Sequence, residues 1–348
     1  MSIFRSLILK EALHLVRDVR TMTVVLIMPL ILLLLFGFAI STEVNDVRVV
    51  AVVQQHTDTT RQLLERIRSN PYFTFRGIVA HNQVEPMLRK GHADAAIVIK
   101  TENGTPSYQL IVDASNTNTA QTSAAYLENV INHTARSPFI TNTLYNPQLK
   151  SAYNFVPGIM GMIFILICAM MTSVSIVSEK ESGTMDLLLV SPVRPGIVIL
   201  GKIIPYFLLS CIILTLILTL SYGVLDLPFS ANVINVIWMT VLYIILALSL
   251  GLLVSVLVST QVTALLVSGV LFMLPVIMLS GMIFPIDNMP DVLQWISCII
   301  PARWYISAMR TLMIQQLPAS YVATEAFILS GMTLIVLTLA IKKFNTQH

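Results

Sequence analysis

The stretch SEKESGTMDLLLVSPVRPGIVILGK, residues 178–202, separates two apolar segments of the chain. After Ser178 come three charged residues, then Gly183, and the stretch ends in a proline- and glycine-containing run. Helix–helix connections in bundles usually need only about two to eight residues. This stretch is therefore long enough to contact another molecule as well as to reverse the chain.

The composition around this stretch indicates a membrane protein. The 348 residues are 55% hydrophobic and 11% charged, with a mean hydropathy of +0.79. A soluble protein carries about a quarter charged residues, so the deficit favours a polytopic membrane protein. The net charge of +3 is too small to indicate a nucleic-acid partner, and the three widely spaced cysteines fit neither a disulfide framework nor a metal site.

Six apolar runs reach the roughly 20 residues that a helix needs to cross the hydrocarbon core. The first can also be read as a signal peptide, because Ala39-Ile40-Ser41 resembles a cleavage site. Its apolar core is longer than such peptides use, so we favour an uncleaved anchor at residues 22–41. We predict an α-helical polytopic membrane protein with six transmembrane helices near Met22–Ile40, Gly158–Val177, Ile203–Tyr222, Val233–Val258, Val262–Phe284 and Val322–Ile341.

Basic residues predict the orientation of the chain. Nine of them fall on one side of a six-span topology, while the short segments opposite hold only Arg303 and Arg310. We therefore expect both termini and the 178–202 loop to be cytoplasmic. The nine are Arg5, Lys10, Arg17, Arg20, Lys180, Arg194, Lys202, Lys342 and Lys343.

Two segments outside the spans have patterns of their own. Residues 1–21 predict an amphipathic helix with basic residues on one face, lying in the cytoplasmic interface against anionic lipid; an ordinary signal-anchor leader is the alternative. Residues 42–157 alternate strand-like and helical stretches, from VRVVAVV at 47–53 onward. This alternation predicts an inserted extracytoplasmic α/β domain, whose histidines lack metal-ligand spacing.

A second compact feature follows the fifth span, at residues 285–316. Two apolar stretches of 10–13 residues, each introduced by a proline (Pro290 and Pro301), are too short to cross. They predict a re-entrant or interfacial helical hairpin, with Trp295, Trp304 and Tyr305 at the outer headgroup level. It would act as an outer gate or cap, or serve simple interfacial packing.

The spans hold no Asp, Glu, Lys, Arg or His deep in their interiors, which argues against proton coupling; backbone carbonyls that bind Na⁺ keep a sodium-coupled carrier open. The fourth span carries small residues at intervals of four, which permit close helix packing within the chain or against a second chain. These are Ala247, Gly251, Ser255 and Ser259.

The run Gly196 to Lys202 matches most of the phosphate-loop pattern G-x-x-x-x-G-K-[ST]. Ile203 replaces the hydroxyl residue that would hold Mg²⁺, and the run leads directly into a span, so we reject a nucleotide site. With no nucleophile–base pair or metal cluster evident, the sequence predicts no enzyme and no cofactor or metal on this chain. A transport protein without an energy-supplying site of its own implies a separate subunit that supplies the energy.

The opening stretch then has an interpretation. Its charged head, Glu179 to Glu181, is expected to stay solvated while Gly183 ends the span's helix. A short helix at 184–190 would present Met185 and the leucines to a groove on a cytoplasmic partner. The alternative is a helix that rests on lipid.

The motifs Glu179-Lys-Glu-Ser-Gly-Thr184 and Ser191-Pro-Val-Arg194, with Ser280-Gly-Met-Ile-Phe-Pro285 through Arg310, resemble the membrane subunits of ATP-binding-cassette (ABC) exporters of the type-2 permease class. The resemblance covers nearly the whole chain. It is strongest to the bacterial multidrug-type subgroup, which has a large domain between spans one and two.

The resemblance implies a permease that works as a dimer with an identical or similar chain in the bacterial inner membrane. ATP and Mg²⁺ would bind separate ATPase subunits, and a periplasmic adaptor is a partner this class allows. It assigns an ATPase-coupling loop to Glu179, Lys180, Glu181, Gly183, Thr184, Met185, Leu188 and Pro192. It assigns an outer hairpin or gate to Ser280, Gly281, Pro285, Pro290, Pro301, Arg303 and Arg310.

Two other functions stay open at this point. One is a non-transporting membrane scaffold whose external domain binds an envelope partner, and the other is the Na⁺-coupled secondary carrier. Neither requires an ATPase to dock on residues 178–202. The cargo is not identified by the resemblance, because the class exports chemically diverse molecules.

Overall fold

A computed structural model describes residues 2–39, 47–54, 57–102, 105–112, 123–128, 130–131, 151–185, 195–229, 232–286 and 289–347. The chain divides into two compact units. A membrane unit comprises Met1–Ile40 and Ser151–His348, and an inserted unit comprises Ser41–Lys150.

The elements follow in chain order. They are α1 (Ser2–Arg17), α2 (Val19–Leu34, continued as a π-helix over Leu35–Ala39), β1 (Val47–Val53), α3 (Asp58–Ser69), β2 (Phe73–Ile78), α4 (His81–Arg89), β3 (Ala95–Glu102), β4 (Thr105–Val112), α5 (Ser151–Glu181), α6 (Pro195–Gly223), α7 (Val233–Leu257), α8 (Gln261–Leu279), α9 (Asp291–Ser297), α10 (Pro301–Met309, continued as a π-helix over Arg310–Ile314), a 3₁₀ turn (Ala319–Val322) and α11 (Ala323–Gln347).

Among the described residues, six helices of the membrane unit are long and apolar enough to cross a membrane: α2, α5, α6, α7, α8 and α11. Each contains an 18-residue stretch with a mean hydropathy of at least 1.9 and at most two charged residues. At 1.5 Å per residue, even the 19-residue α8 spans about 28 Å. The predicted fold class, a six-helix membrane protein with an inserted α/β domain, is confirmed.

Helices α5 and α7 form the centre of the membrane unit, and their close approach depends on a glycine. A Cβ placed on Gly251 would lie 2.6 Å from the carbonyl oxygen of Ala169 on α5. Small residues are what allow helix backbones to approach closely inside a membrane. The adjoining core is apolar; Phe164 and Ile244, for example, are almost fully buried.

We expect Gly251→Ala to lower the free energy of unfolding by about 1–3 kcal/mol, because the added methyl group overpacks a backbone contact. Gly269→Ala is the matched control, since Gly269 lies in span helix α8 with no atom within 4 Å of an added Cβ. The thermal midpoint of the detergent-solubilised chain measures both. A Gly251→Ala midpoint equal to that of the control would contradict the tight contact.

The inserted unit contains a four-stranded sheet of order β2-β1-β3-β4. Strand β1 pairs in parallel with β2 and β3, and β3 pairs antiparallel with β4. The parallel pairs arise because α3 and α4 connect the strands, as βαβ units require. A register shift between Val49 and Val50 marks an irregularity in the β1–β2 pair.

Both faces of this sheet are covered. One cluster joins Val49 and Ile97 of the sheet to Ile67 of α3 and to Leu127 in the helical residues 123–128. The other joins Val50, Val52, Ala96 and Val98 to Val84 of α4. Burial on both faces explains why VRVVAVV reads as a continuous apolar run rather than an alternating one.

Four predicted helix boundaries move by five residues or more. Helix α6 begins at Pro195, eight residues before Ile203, so residues 195–202 of the predicted 178–202 loop are helical, and α11 ends at Gln347, six residues beyond Ile341. Helix α5 begins at Ser151, seven residues before the predicted start of the second span at Gly158, so residues 151–157 belong to the membrane unit. Hydropathy alone misses this overhang because its residues are more polar than the span. Helix α8 ends at Leu279 rather than at Phe284, since Gly281 adopts a φ of 81° that a helix does not accommodate.

Candidate functional site

Three consecutive charged residues at the end of α5 each bind a different part of the membrane unit. Glu179 contacts α1 and α6, Lys180 contacts the end of α7, and Glu181 contacts the start of α8. We call these three residues, with Glu11, Lys10 and Lys202, the charge clamp. The end of the bundle at which it lies is the α1 end.

Glu179 and Glu11 share the ammonium group of Lys202. Lys202 Nζ lies 2.9 Å from Glu179 Oε2 and 3.1 Å from Glu11 Oε1. The exposed fraction of the side chain is 5% for Lys202, 13% for Glu179 and 7% for Glu11. The expectation that residues 179–181 form a solvated head is therefore wrong for Glu179, because neighbouring helices supply its counter-charges.

Lys10 completes the cluster from the exposed side of α1, with its Nζ 2.7 Å from Glu179 Oε1. Partial burial disfavours the charged ammonium, but the hydrogen bond and negative charge of Glu179 outweigh this and raise the pKa of Lys10. Ser175 of α5 also donates a 3.4 Å hydrogen bond to Glu11 Oε2. Helices α1, α5 and α6 are thereby tied together by two cations and two carboxylates.

Lys180 and Glu181 hold the connection between α7 and α8. Lys180 Nζ donates to the carbonyl of Val258, 3.3 Å away, at the C-terminal end of α7. Glu181 Oε2 accepts the backbone N–H of Gln261, 2.9 Å away, at the N-terminal end of α8. A cation at a helix C-terminus and an anion at an N-terminus both complement the helix dipole.

The turn after the clamp exposes a short segment. Helix α5 ends at Glu181, and Gly183 follows with a φ of 72°, the left-handed conformation typical of a glycine past a helix end. Residues 181–184 are exposed. The Thr184 hydroxyl donates a hydrogen bond to the backbone carbonyl of Glu179, 3.3 Å away.

Met185 is buried within its own chain, so the prediction that it contacts a groove on a cytoplasmic partner is wrong. It is only 3% exposed and packs in a cluster with Ile199, Val256 and Phe344 of its own chain. Burying this apolar side chain within the bundle satisfies it without a groove on another protein. Leu188 and Pro192 of the predicted coupling loop lie outside the described residues.

Sequence reasoning missed Glu11 and Lys202 as members of this site. A faint signal existed, because a glutamate and a lysine beside apolar spans need partners. The structure also accounts for the Gly201-Lys202 pair that imitates a phosphate loop. A Cβ on Gly201 would lie 3.1 Å from Leu7 Cβ, so the glycine lets α1 lie close to α6 while the lysine forms the buried ion pairs.

At the opposite end of the bundle, α9 and α10 form the predicted helical hairpin. Pro301 occupies the first turn of α10, and Pro290 is the N-cap of α9. Arg303 braces the hairpin by donating to the carbonyl of Gln294 at 2.8 Å and to Ser297 Oγ. Trp295 is 78% exposed.

The inner helix of this hairpin is part of the core. Tyr305 is fully buried and stacks on Tyr243 with ring centroids 4.2 Å apart, and its hydroxyl lies 3.0 Å from that of Thr240. Its predicted place at the headgroup level is wrong, because α10 packs inside the bundle and its tyrosine finds a hydrogen-bonding partner there. Trp304 is half-buried and donates to the carbonyl of Cys298.

The remaining predicted gate residues meet at the end of α8. Arg310 donates a 2.8 Å hydrogen bond to the carbonyl of Gly281. The buried Ser280 hydroxyl donates a hydrogen bond to the backbone carbonyl of Val276 in α8. Pro285 is exposed. The hairpin and the end of α8 are thus joined through one arginine.

The small-residue ridge of α7 faces its own chain. Ala247, Gly251 and Ser255 are buried, with Gly251 against α5, which favours packing within the chain over packing against a second chain. Ser259 is exposed beyond the end of α7 at Leu257, so it is not part of this ridge.

Comparison with known proteins agrees with this architecture. Residues 20–342 match the model of the ABC-2 family transporter protein family. The probable multidrug ABC transporter permease YbhS of Escherichia coli (strain K12) is 28% identical over 356 residues, covering 95% of this chain and 94% of the relative. The probable multidrug ABC transporter permease YbhR of the same strain is 29% identical over 320 residues, covering 86% of each chain. The chain therefore belongs to the ABC-2 family of transporter proteins and is a membrane permease of this class.

Proposed function

We propose that this permease subunit of an ABC exporter receives its mechanical input at residues 182–184 of the exposed turn from a separate ABC ATPase subunit. The charge clamp is the observation that carries the proposal. A displacement of the turn acts on α5 and, through the clamp, on α1, α6 and the α7–α8 connection at the same time. An ATPase docked at this one turn would move four parts of the bundle together.

ATP binding would favour one arrangement of the permease and hydrolysis the other, provided that the ATPase contacts the turn differently in the two states. ATP and Mg²⁺ reside on the ATPase, and this chain supplies no catalytic residue. The turn lies at the α1 end, where the basic residues of the sequence also concentrate. We therefore propose that this end and both termini are cytoplasmic.

We further propose that two permease chains, identical or similar, enclose the translocation path in a bacterial inner membrane. The relatives YbhS and YbhR are named as probable multidrug permeases, so drug-like small molecules are the proposed cargo class. A periplasmic adaptor would bind the inserted domain. The hairpin 285–316 is proposed to close the outer end of the path, with Arg303 and Arg310 bracing it.

The test is co-purification of this chain with an ABC ATPase subunit from the same organism. We expect Ser182→Arg to abolish co-purification, because a long cation enters the exposed docking turn, and to leave the thermal midpoint of the chain unchanged. Ser320→Arg is the matched control, since Ser320 is also exposed but lies at the opposite end of the bundle. An ATPase that binds Ser182→Arg as well as it binds the control would refute docking at this turn.

The Ser182→Arg variant and a transport assay in vesicles distinguish export from the two other functions, scaffold and sodium-coupled carrier. A scaffold would function normally with the Ser182→Arg substitution, because no ATPase has to bind there. A sodium-coupled carrier in vesicles would move cargo along an Na⁺ gradient without ATP. Either result would replace the proposal.

A further inference from the structure

A cavity of about 370 Å³ lies in the membrane unit between α7 and α11 on one side and α8 on the other, and it opens to its surroundings where Leu271, Ile299 and Ile335 are more than half exposed. Its walls include Leu246 of α7, Leu271 and Phe272 of α8, and Met332 of α11. The turn between α9 and α10 closes one end through Ile300. The volume falls within the range of small-molecule sites, about 300–1,000 Å³.

The chemistry of the lining is uniform. All thirteen residues around the cavity are apolar, and Phe272 adds an aromatic ring. A charged or strongly polar ligand would be desolvated here without a hydrogen-bonding side chain to compensate, which costs several kcal/mol. The cavity therefore selects for an uncharged, apolar occupant.

Its position within the spans decides between two apolar occupants. Lipid tails are as apolar as leucine, so an occupant gains little from the hydrophobic effect inside the bilayer and must gain from packing. A flexible acyl chain loses conformational entropy on entering, and the lining offers nothing to anchor its headgroup. A rigid ring system loses little entropy and gains dispersion contacts on several sides.

One wall of the cavity is α8, a helix that the proposed function expects to move. Helix α8 is held on α5 by the hydroxyls of Ser173 and Ser268, 2.9 Å apart, on its other flank. Its first residue is bound by Glu181 of the charge clamp. A shift of α8 would therefore change the width of the cavity, whose opposite wall belongs to α7 and α11.

We propose that this cavity is a membrane-facing binding site for a rigid, uncharged, apolar small molecule. As a cargo site it rests on the proposed export function and narrows its cargo class. As a binding site it requires only the chain itself, so the two ideas can fail separately.

The experiment places the full chain in lipid nanodiscs without any ATPase. The probe is 3-trifluoromethyl-3-(m-iodophenyl)diazirine, a small uncharged photoreagent, and labelled peptides are quantified by mass spectrometry. We expect labelling at Met332 to saturate and to be displaced by excess biphenyl. Labelling at Met278, which is 50% exposed and does not line the cavity, should rise linearly and resist displacement.

A matched pair of variants locates the site. Leu271 and Leu274 lie on the same helix and are both 56% exposed, but only Leu271 lines the cavity. Leu271→Trp should lower saturable labelling about tenfold, while Leu274→Trp leaves it unchanged. Val336→Phe, which fills the cavity from α11, should reproduce the loss if Leu271→Trp fails to fold.

Equal labelling of the two tryptophan variants, or non-saturating labelling at Met332, would overturn the site. Displacement by hexadecane as effective as by biphenyl would overturn the rigid ligand and assign the cavity to an acyl chain. Saturable binding in a chain that never co-purifies with an ATPase would leave the site standing and reject only its role in export.

Discussion

Lys202→Met is expected to lower the free energy of unfolding of the solubilised chain by about 3–5 kcal/mol, the range for removing one partner of a buried ion pair. Lys202 is the only member of the clamp that contacts both Glu11 and Glu179 among the described contacts. Methionine keeps the apolar stem of the lysine but removes the charge. Glu11, 7% exposed, would then lose its direct ion pair and keep the long hydrogen bond from Ser175 and the more distant charge of Lys10.

The measurement is the temperature at which the detergent-solubilised chain leaves its monodisperse peak, since such proteins unfold irreversibly. Lys343→Met is the control, because Lys343 is exposed near the end of α11. Glu11→Gln combined with Lys202→Met should recover part of the loss, because Glu179 retains Lys10. A single Lys202→Met variant as stable as the control would mean that the clamp does not hold α1 and α6 together.

The fold was largely predictable because its signals are local. Six apolar runs of sufficient length, a Val-rich central strand and Pro301 at a helix start each express one dominant physical requirement. Gly183 belongs to the same class, since the helix ends there and the glycine adopts a positive φ. Hydropathy failed at helix ends: α5 extends beyond its apolar part at Ser151–Pro157, and α8 stops at Leu279 although the predicted span continues to Phe284.

The candidate site was less predictable because its contacts join distant residues. The Lys202–Glu11 pair links positions 191 residues apart, and no periodicity reports such a contact. Tyr305 and Met185 look exposed in sequence because both lie in short segments beside polar residues. In the fold each enters a core built from other helices, the first against Tyr243 and the second against Phe344.

Glu181→Lys should uncouple ATP hydrolysis from cargo without releasing the ATPase. Glu181 accepts the first backbone N–H of α8 at 2.9 Å, and a lysine there removes the acceptor and places a cation at the positive end of the helix. The α8 N-terminus then no longer follows the turn. Coupling free energies between sites are typically about 1–3 kcal/mol, so we expect cargo-stimulated ATPase activity to fall about five- to 150-fold.

Glu181→Gln separates this role from a general effect of mutating the turn. The glutamine carbonyl can still accept the N–H of Gln261, so most of the stimulation should remain, whereas Glu181→Lys loses it and both variants co-purify with the ATPase. Loss of co-purification in Glu181→Lys would instead make the residue part of the docking surface. Equal stimulation in the two variants would show that α8 takes its motion from another contact, and the hydrogen bond at its N-terminus would then serve stability alone.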